Sequence, residues 1–381
     1  MPDLFFYGTL CHVPLLERVL GRSAAAIDLM PAQLPGWSVH WVAGQGFPMI
    51  QQQDGALTPG QWVANLSAED LARLDHYEGG FDYSLEPMTI RTEDGAERSA
   101  LVFLPAANRW TAGAPWHLPD WVAQFGDVTL EAAEEVMERF GVTSARDMDR
   151  LFPWIRARGW ARCLGRRPAP STLRRAPDAS AVEIGTQRAG YDGFFRIKDF
   201  DIRYRQFDGA QSPEISRETF VAYDAAQVLP YDPVTDKVMV IEQLRFGPIW
   251  RKDPAPWVLE PIAGLVDAGE DPADCARREA VEEAGLTLGD LRLISRIYAS
   301  PGYSTEFFHC YLGLCDLSDH TGGVAGLAHE AEDIRSHVIS FDHAMDLVTS
   351  GEVNVGPLAM MLLWLARHRE ELRGAAGVRH T

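Results

Sequence analysis

GLVDAGEDPADCARREAVEEAGL, residues 264–286, packs seven carboxylates into 23 residues, four of them glutamates. Like charges at that spacing repel. Asp271 suits a helix N-cap, Pro272 the first helical position and Asp274 the first turn. A helix is therefore expected to run to about Ala284, with Gly285 as its left-handed stop. On it Glu279 and Glu283 are four apart and Glu282 is three beyond Glu279, so the spacing predicts all three on one face. Ala273, Ala276, Ala280, Val281 and Ala284 are expected on the other side, small enough to lie against a sheet and hold the acidic face outward. Three clustered glutamates without interleaved lysine are destabilising unless something neutralises them. Hard oxygen ligands on one face suit Mg2+ or Mn2+, which also bind substrate phosphates. A diphosphate is the substrate chemistry this implies.

The rest of the composition is compatible with that reading. At 381 residues the chain exceeds what one core covers, so two domains are expected, and 46% hydrophobic content can fill both. A net charge of −19 and a pI near 5.0 exclude a general binder of nucleic acid or anionic membrane. They do not exclude a small phosphorylated ligand, because a metal ion inverts the local field. Cysteines stand at 11, 163, 275, 310 and 315, an odd number with no CxxC. Free thiols in a reducing compartment are expected, with no disulfide framework and no zinc site. MPDLFFYGTL has Asp3 and no basic segment, so it does not read as a signal peptide. No run reaches about 18 apolar residues, so no membrane span is expected. The expected compartment is the cytoplasm.

Three pieces follow one another. Residues 1–127 are β-rich: LFFYGTL, WSVHWVAG, GQWVANL, YSLEPMTIRT and SALVFLP read as strands separated by Gly, Pro and Asp-Gly punctuation. SAEDLARLDHYEG interrupts them as a helix, with Ser67 as N-cap and Asp70 three residues on. Residues 128–188 form a helical and Arg/Pro-rich connector. Within it TLEAAEEVMERFG ends at Gly141, and TSARDMDRLFPWIRARGWARCLG runs past Pro153. Seven arginines and no acids lie between 156 and 175, a run expected either to be solvated or to touch an acidic neighbouring domain. Residues 189–381 alternate strands (FFRIKDFDIRYRQF, KVMVIEQLRF, LRLISRIYAS, FHCYLGLCDL) with helices, ending in the wide apolar stripe of PLAMMLLWLARHREEL.

Gly264, five residues, Glu270, seven residues, then Arg278, Glu279, Ala280, Glu282, Glu283, Gly285 and Leu286 match the Nudix box at every fixed position. Residues from about 190 to 370 resemble the ADP-ribose pyrophosphatase branch of the Nudix hydrolase superfamily. Pro301 in SPGYSTE lies 16 residues after Gly285, and YDPVTDKVMV, VIEQLRF and GLAHEAEDIRSHVIS are similar too. The resemblance implies an Mg2+-dependent hydrolysis of ADP-ribose to AMP and ribose 5-phosphate. It makes Glu279, Glu283, Glu332 and the Ala263 carbonyl metal ligands, with Glu282 beside them and Glu270 and Arg278 bracing the loop. Glu330 would act as base on a water. Arg217, Glu218 and Arg245 would grip substrate, Phe194 would stack adenine, and Ser300, Pro301, Gly302 and Glu306 would line the ribose side. A homodimer is implied as well, with strands crossing to complete the adenine pocket.

FFYGTL, LARLDHYEG about 65 residues later, LPGW at 34 and FPM near 47 resemble the γ-glutamylcyclotransferase-like family over residues 1–120. The resemblance implies a small mixed β-barrel in which the backbone N–H groups of Tyr7, Gly8, Thr9 and Leu10 hold a carboxylate, and Glu78 moves a proton. Burial would raise that glutamate's pKa toward a usable value. Many members carry a Tyr-Arg pair after the glutamate, whereas here Tyr83 is followed by Ser84. The fold class implied for the whole chain is α+β, a mixed β-barrel followed by a Nudix α/β/α sandwich. Such a fusion also resembles bacterial proteins described as tellurite-resistance factors, although no residue here points to tellurium chemistry. Alternative readings are hydrolysis of another nucleoside diphosphate sugar, a non-catalytic ADP-ribose sensor, and γ-glutamyl cyclisation with a regulatory, nucleotide-sensing Nudix part. The intact box argues against the sensor.

Overall fold

The computed structural model describes residues 3–78, 83–106, 109–176, 178–188, 190–325 and 333–377. The chain divides into two compact units, Met1–Thr172 and Leu173–Thr381, each with its own core.

In the first unit, Leu4–Phe6 pairs antiparallel with Pro48–Ala64 and in parallel with Glu97–Pro105. Glu97–Pro105 pairs with Tyr83–Thr92, and that strand with Asp28–Val42. Asp28–Val42 then pairs with Pro48–Ala64, closing a five-strand ring. One parallel pairing among antiparallel ones makes it the mixed barrel expected. The three apolar residues at its start serve both sides, because successive strand side chains alternate. Phe5 joins the cluster of Leu34, Ile50, Trp62, Ile90 and Val102. Leu4 and Phe6 join Leu15, Leu16, Val19 and Ile155 from the surrounding helices.

The helix Ala68–Glu78 starts where its cap predicts. Ser67 Oγ accepts from the Asp70 N–H at 3.1 Å, and Asp70 Oδ2 accepts from the Ser67 N–H at 2.7 Å. Helices Asp127–Met137 and Ala145–Gly165, read from sequence as part of a connector, place Ala132, Ala133, Val136, Met148 and Ile155 in the first unit's core. The basic run differs from the solvated stretch expected. Arg158 and Glu135 are 0% and 1% exposed and meet at 2.6 Å. Arg139 reaches the same carboxylate at 3.1 Å, Arg162 reaches Glu131 at 2.7 Å, and Arg166 also pairs with Glu131. The acids come from the preceding helix of the same unit, not from a neighbouring domain.

The second unit is a helix–sheet–helix sandwich. Asp224–Asp232 lies at its centre, parallel to Phe307–Leu314 and antiparallel to Lys237–Leu244 and Ile262–Leu265. Leu229, Tyr231, Val240 and Leu312 pack beneath Phe341–Ser350 and Gly356–Ala375 through Phe341, Leu358, Leu362 and Leu365. The alternate residues Ala226 and Val228 are buried on the other face, where helix Pro272–Ala284 packs on this strand and on Ile262–Leu265. Val182–Arg188, Arg196–Tyr204 and Ile215–Val221 form a separate antiparallel sheet. All five cysteines are free. Among the described residues no helix is long and apolar enough to cross a membrane.

Replacing Arg158 with methionine keeps the stem and removes the charge facing buried Glu135. Arg139 and Arg162 still reach that carboxylate, at 3.1 and 3.4 Å. Arg158→Met is therefore expected to destabilise the first unit by about 3 kcal/mol, the low end for breaking a buried pair, measured by urea unfolding of the full chain.

Candidate functional site

The caps of helix Pro272–Ala284 form as its residues predict: Asp271 accepts from the Ala273 N–H at 2.9 Å, and Gly285 turns left-handed at φ 62°. Ala276 and Ala280 are buried as expected. Two expectations fail. Val281 is 55% exposed, and Glu283 is only 3% exposed. Positions 276, 280 and 283 are i, i+4 and i+7, one stripe of the helix, and that stripe meets the sheet. Glu283 therefore sits at the seam rather than on an outward face, and its Oε2 accepts from the Ala263 N–H at 3.2 Å. In a strand, N–H and C=O of one residue point to the same edge, so the Ala263 carbonyl faces that seam too.

Arg278 stands among the remaining acids. Its Nε and Nη2 donate to the two Glu270 oxygens at 3.0 and 3.1 Å, and its Nη1 reaches Glu279 at 2.6 Å and Glu282 at 2.9 Å. Burial acts against its charge, but the bonds to Glu270 and the charge of Glu279 outweigh it and raise its pKa. Glu270 Oε2 accepts in turn from the Asp267 N–H at 3.1 Å, which ties the loop to the helix. Gly264 leaves room for Glu279: a Cβ there would lie 1.8 Å from Oε1. Glu279 and Glu283 with the Ala263 carbonyl are oxygen donors of the kind Mg2+ or Mn2+ takes. Among the described residues no three His, Cys, Asp or Glu side chains make a metal-holding group. Glu330 and Glu332 lie outside the described residues.

Arg245, Glu260 and Glu306 stand at the ends of strands. Arg245 Nε donates to Glu260 at 2.8 Å. Burial raises the pKa of Glu306, which Arg245 lowers and Glu260 raises further, so these three groups act on one another. Glu260 was not singled out from sequence; a lone acid closing an apolar strand, WVLE, was its only signal. Ser300 heads a turn whose carbonyl accepts from Tyr303 and Ser304, with Pro301 and Gly302 inside it. The turn docks on the strand Ile215–Val221 through the Phe220 N–H to the Tyr303 carbonyl, 2.7 Å. Arg217 and Glu218 lie exposed on that strand, where Arg217 Nη1 donates to the Ser216 carbonyl at 2.8 Å. Phe194 is 41% exposed, edge-on to Phe195 at 4.6 Å.

The first unit holds a cavity of about 90 Å3 lined by Tyr7, Gly8, Thr9, Leu10 and Glu78, which the fold brings together from positions about 70 residues apart. Tyr7 is anchored by its hydroxyl, which donates to the Phe103 carbonyl at 2.8 Å. Burial alone pushes Glu78 up to about 7. Phe152 and Arg156 line the same cavity. Sequence reading placed both in the connector, although their i,i+4 spacing already put them on one helical face.

The profile described as "NUDIX domain" matches residues 223–353, and that described as "Gamma-glutamyl cyclotransferase, AIG2-like" matches residues 4–123. The chain is 39% identical over 192 residues to an ADP-ribose pyrophosphatase of Escherichia coli strain K12, spanning 50% of this chain and 91% of that one. It is 36% identical over 194 residues to an ADP-ribose pyrophosphatase of Haemophilus influenzae, spanning 50% and 89%. A GDP-mannose pyrophosphatase of Shigella flexneri is 29% identical over 177 residues, spanning 46% and 89%.

Two outcomes are expected from this geometry. Gly264→Ala displaces Glu279 and weakens Mn2+ binding about tenfold by calorimetry, with the far-ultraviolet circular dichroism unchanged. Glu78 titrates near 7 when folded, against an ordinary 4.5. Below about pH 4.5 both states hold the proton. As pH rises toward 7 the unfolded chain ionises first, so the folded state loses stability. Glu78→Gln is therefore expected to stabilise the first unit relative to the parent at pH 8, by at most about 3 kcal/mol, and not at pH 4.5. Urea midpoints at the two pH values check the sign.

Proposed function

The chain belongs to the Nudix hydrolases, with a γ-glutamyl cyclotransferase-like domain ahead of the hydrolase part, and on that footing we propose that the second unit cleaves ADP-ribose to AMP and ribose 5-phosphate. The observation that carries this reading is the seam at Ala263, where Glu283 is buried and Glu279 stands one turn away, braced by Arg278 and Glu270. The relatives named for ADP-ribose are closer than the one named for GDP-mannose, 39% and 36% against 29%, which favours the adenine nucleotide.

Glu279, Glu283, Glu332 and the Ala263 carbonyl would hold Mg2+, or Mn2+ in its place. The bound ion would neutralise the diphosphate and polarise the attacked phosphorus. Arg217 and Arg245 offer planar donor forks suited to phosphate oxygens, and Glu260 holds the Arg245 fork in place. Glu306 and the turn at 300–302 receive the ribose hydroxyls. The exposed Phe194 ring offers a face for adenine. Glu330 takes the proton of the attacking water; the new bond forms at phosphorus, and the bridging P–O bond breaks toward the leaving phosphate. Val182, Ile184 and Tyr204 leave apolar surface exposed on the small sheet, which supports a second copy of the chain covering it. Five free thiols support a reducing, cytoplasmic setting.

A second reading concerns the first unit, where Glu78, in the cavity lining and pushed up to about 7, favours γ-glutamyl cyclisation. The α-amine would attack the γ-carbonyl while the turn at 7–10 holds the α-carboxylate. The bond to the leaving amine breaks, and Glu78 passes the proton from the incoming to the departing nitrogen.

A panel of nucleotide sugars with Mg2+, scored for nucleoside monophosphate release, together with γ-glutamyl compounds scored for amine release, tests both readings. ADP-ribose is expected to be the best substrate. Glu283→Gln is expected to lose at least about a hundredfold in AMP release, as removal of a key electrostatic group does, and to leave γ-glutamyl turnover intact. Glu78→Gln should do the reverse. Full AMP release by Glu283→Gln contradicts the metal assignment.

A further inference from the structure

In the second unit the strands Asp224–Asp232 and Lys237–Leu244 pair at Tyr231 with Val238 and at Asp232 with Lys237, and then part. Ile262–Leu265 pairs with the first of them and Trp257–Glu260 with the second. Glu260 and Pro261 stand where the chain passes from one to the other. Glu260 lies opposite Ile241. Gln243, two residues on, is therefore its diagonal neighbour on the same face, within reach of a long side chain. Arg245 continues that alternation: its N–H donates to the Pro256 carbonyl at 3.0 Å, and its Nε donates to Glu260 at 2.8 Å. Glu242 faces the other side, where it meets His337 at 2.9 Å.

These three side chains are not equally free. Arg245 is 45% exposed and can turn toward a ligand, whereas Glu260 is 14% exposed and Gln243 8%. Gln243 Nε2 is buried without a hydrogen-bond partner among the described residues, although the amide stands near enough to act on Glu260. A buried donor left unbonded is destabilising, so its retention calls for a use in another state of the site. Burial raises the pKa of Glu260, while Arg245 and Gln243 lower it; burial also raises Glu306, which Arg245 lowers and Glu260 raises further. One arginine therefore serves two carboxylates. In the ADP-ribose reading, on which this inference rests, a diphosphate brings further negative charge to the same fork. Glu260 then shares its counter-charge in a place that little water reaches. We propose that Gln243 is a positioning residue: its unbonded Nε2 closes on Glu260 when the diphosphate arrives, and the carboxylate so held keeps the Arg245 fork aimed at the phosphates. Methionine has the same length without the donor, so exchanging the two separates the amide's role from packing.

The test uses ADP-ribose with a methylene group in place of the bridging diphosphate oxygen, a ligand that is not cleaved there. Its affinity for the full chain with Mg2+ is measured by calorimetry at pH 6 and pH 8, in two buffers of different ionisation enthalpy. The proteins are the parent, Gln243→Met, Glu260→Gln and the double variant. The parent is expected to bind nearly equally at the two pH values. Gln243→Met is expected to bind about tenfold more weakly at pH 8, the scale of one hydrogen bond to a charged group. At pH 6 it should recover toward the parent and take up a proton on binding, because Glu260 without its second donor meets the diphosphate in the neutral form. In the Glu260→Gln background the methionine should change nothing. If Gln243→Met does not fold, Gln243→Leu replaces it. A loss that is the same at both pH values, or that persists in the Glu260→Gln background, is the mark of packing damage and overturns the proposal. Full affinity of Gln243→Met at pH 8 overturns it as well. If the parent does not bind the analogue, the ADP-ribose reading falls and the proposal falls with it.

Discussion

Four acids on one loop and one helix would push each other apart without Arg278. Its guanidinium donates to Glu270, Glu279 and Glu282 at once, and the planar fork is what makes three partners geometrically compatible. The loop therefore returns to the helix at a defined place, and Glu279 and Glu283 meet the strand Ile262–Leu265 with their oxygens at one seam. The self-repulsion that marks the box is thus relieved in part from within. Of the four, Glu283 is the one that Arg278 does not reach, and it meets the Ala263 N–H instead. The internal arginine thereby gives the loop its shape without help from any ligand.

Much of this was readable in the residues. Asp271, Pro272 and Gly285 announce the helix by its caps, and Ser67 with Asp70 does the same for Ala68–Glu78, because these signals are local and depend on backbone geometry alone. The spacing of the box carried its family, and FFYGTL with LARLDHYEG carried that of the first unit. What was misread depends on tertiary contact. Glu283 was placed on an outward face because three glutamates look like a polar stripe, yet its register with Ala276 and Ala280 puts it at the sheet. Arg158 was counted with a solvated run because its partner, Glu135, lies 23 residues away on another helix. Glu260 was invisible because its meaning comes from Arg245 and Glu306, which only the folded sheet brings near. Glu330 and Glu332 rest on resemblance alone.

The first unit also shows how a small barrel can be altered without changing its strands. Helices Asp127–Met137 and Ala145–Gly165 are fastened to each other by buried ion pairs and to the barrel by Ala132, Val136 and Ile155. Once held, they can present side chains to a cavity whose floor belongs to the barrel. Glu78 from the barrel part and Arg156 from the second of these helices line one cavity.

The parallel pairing of Leu4–Phe6 with Glu97–Pro105 has a consequence for how the chain is made. Among the ring strands Leu4–Phe6 comes first in the sequence, and its parallel neighbour follows about ninety residues later. Until then Leu4, Phe5 and Phe6 have only their antiparallel partner Pro48–Ala64 beside them, and loop closure over the longer separation must precede the second pairing. The nascent barrel thus carries one open edge on this strand until residue 105 is made.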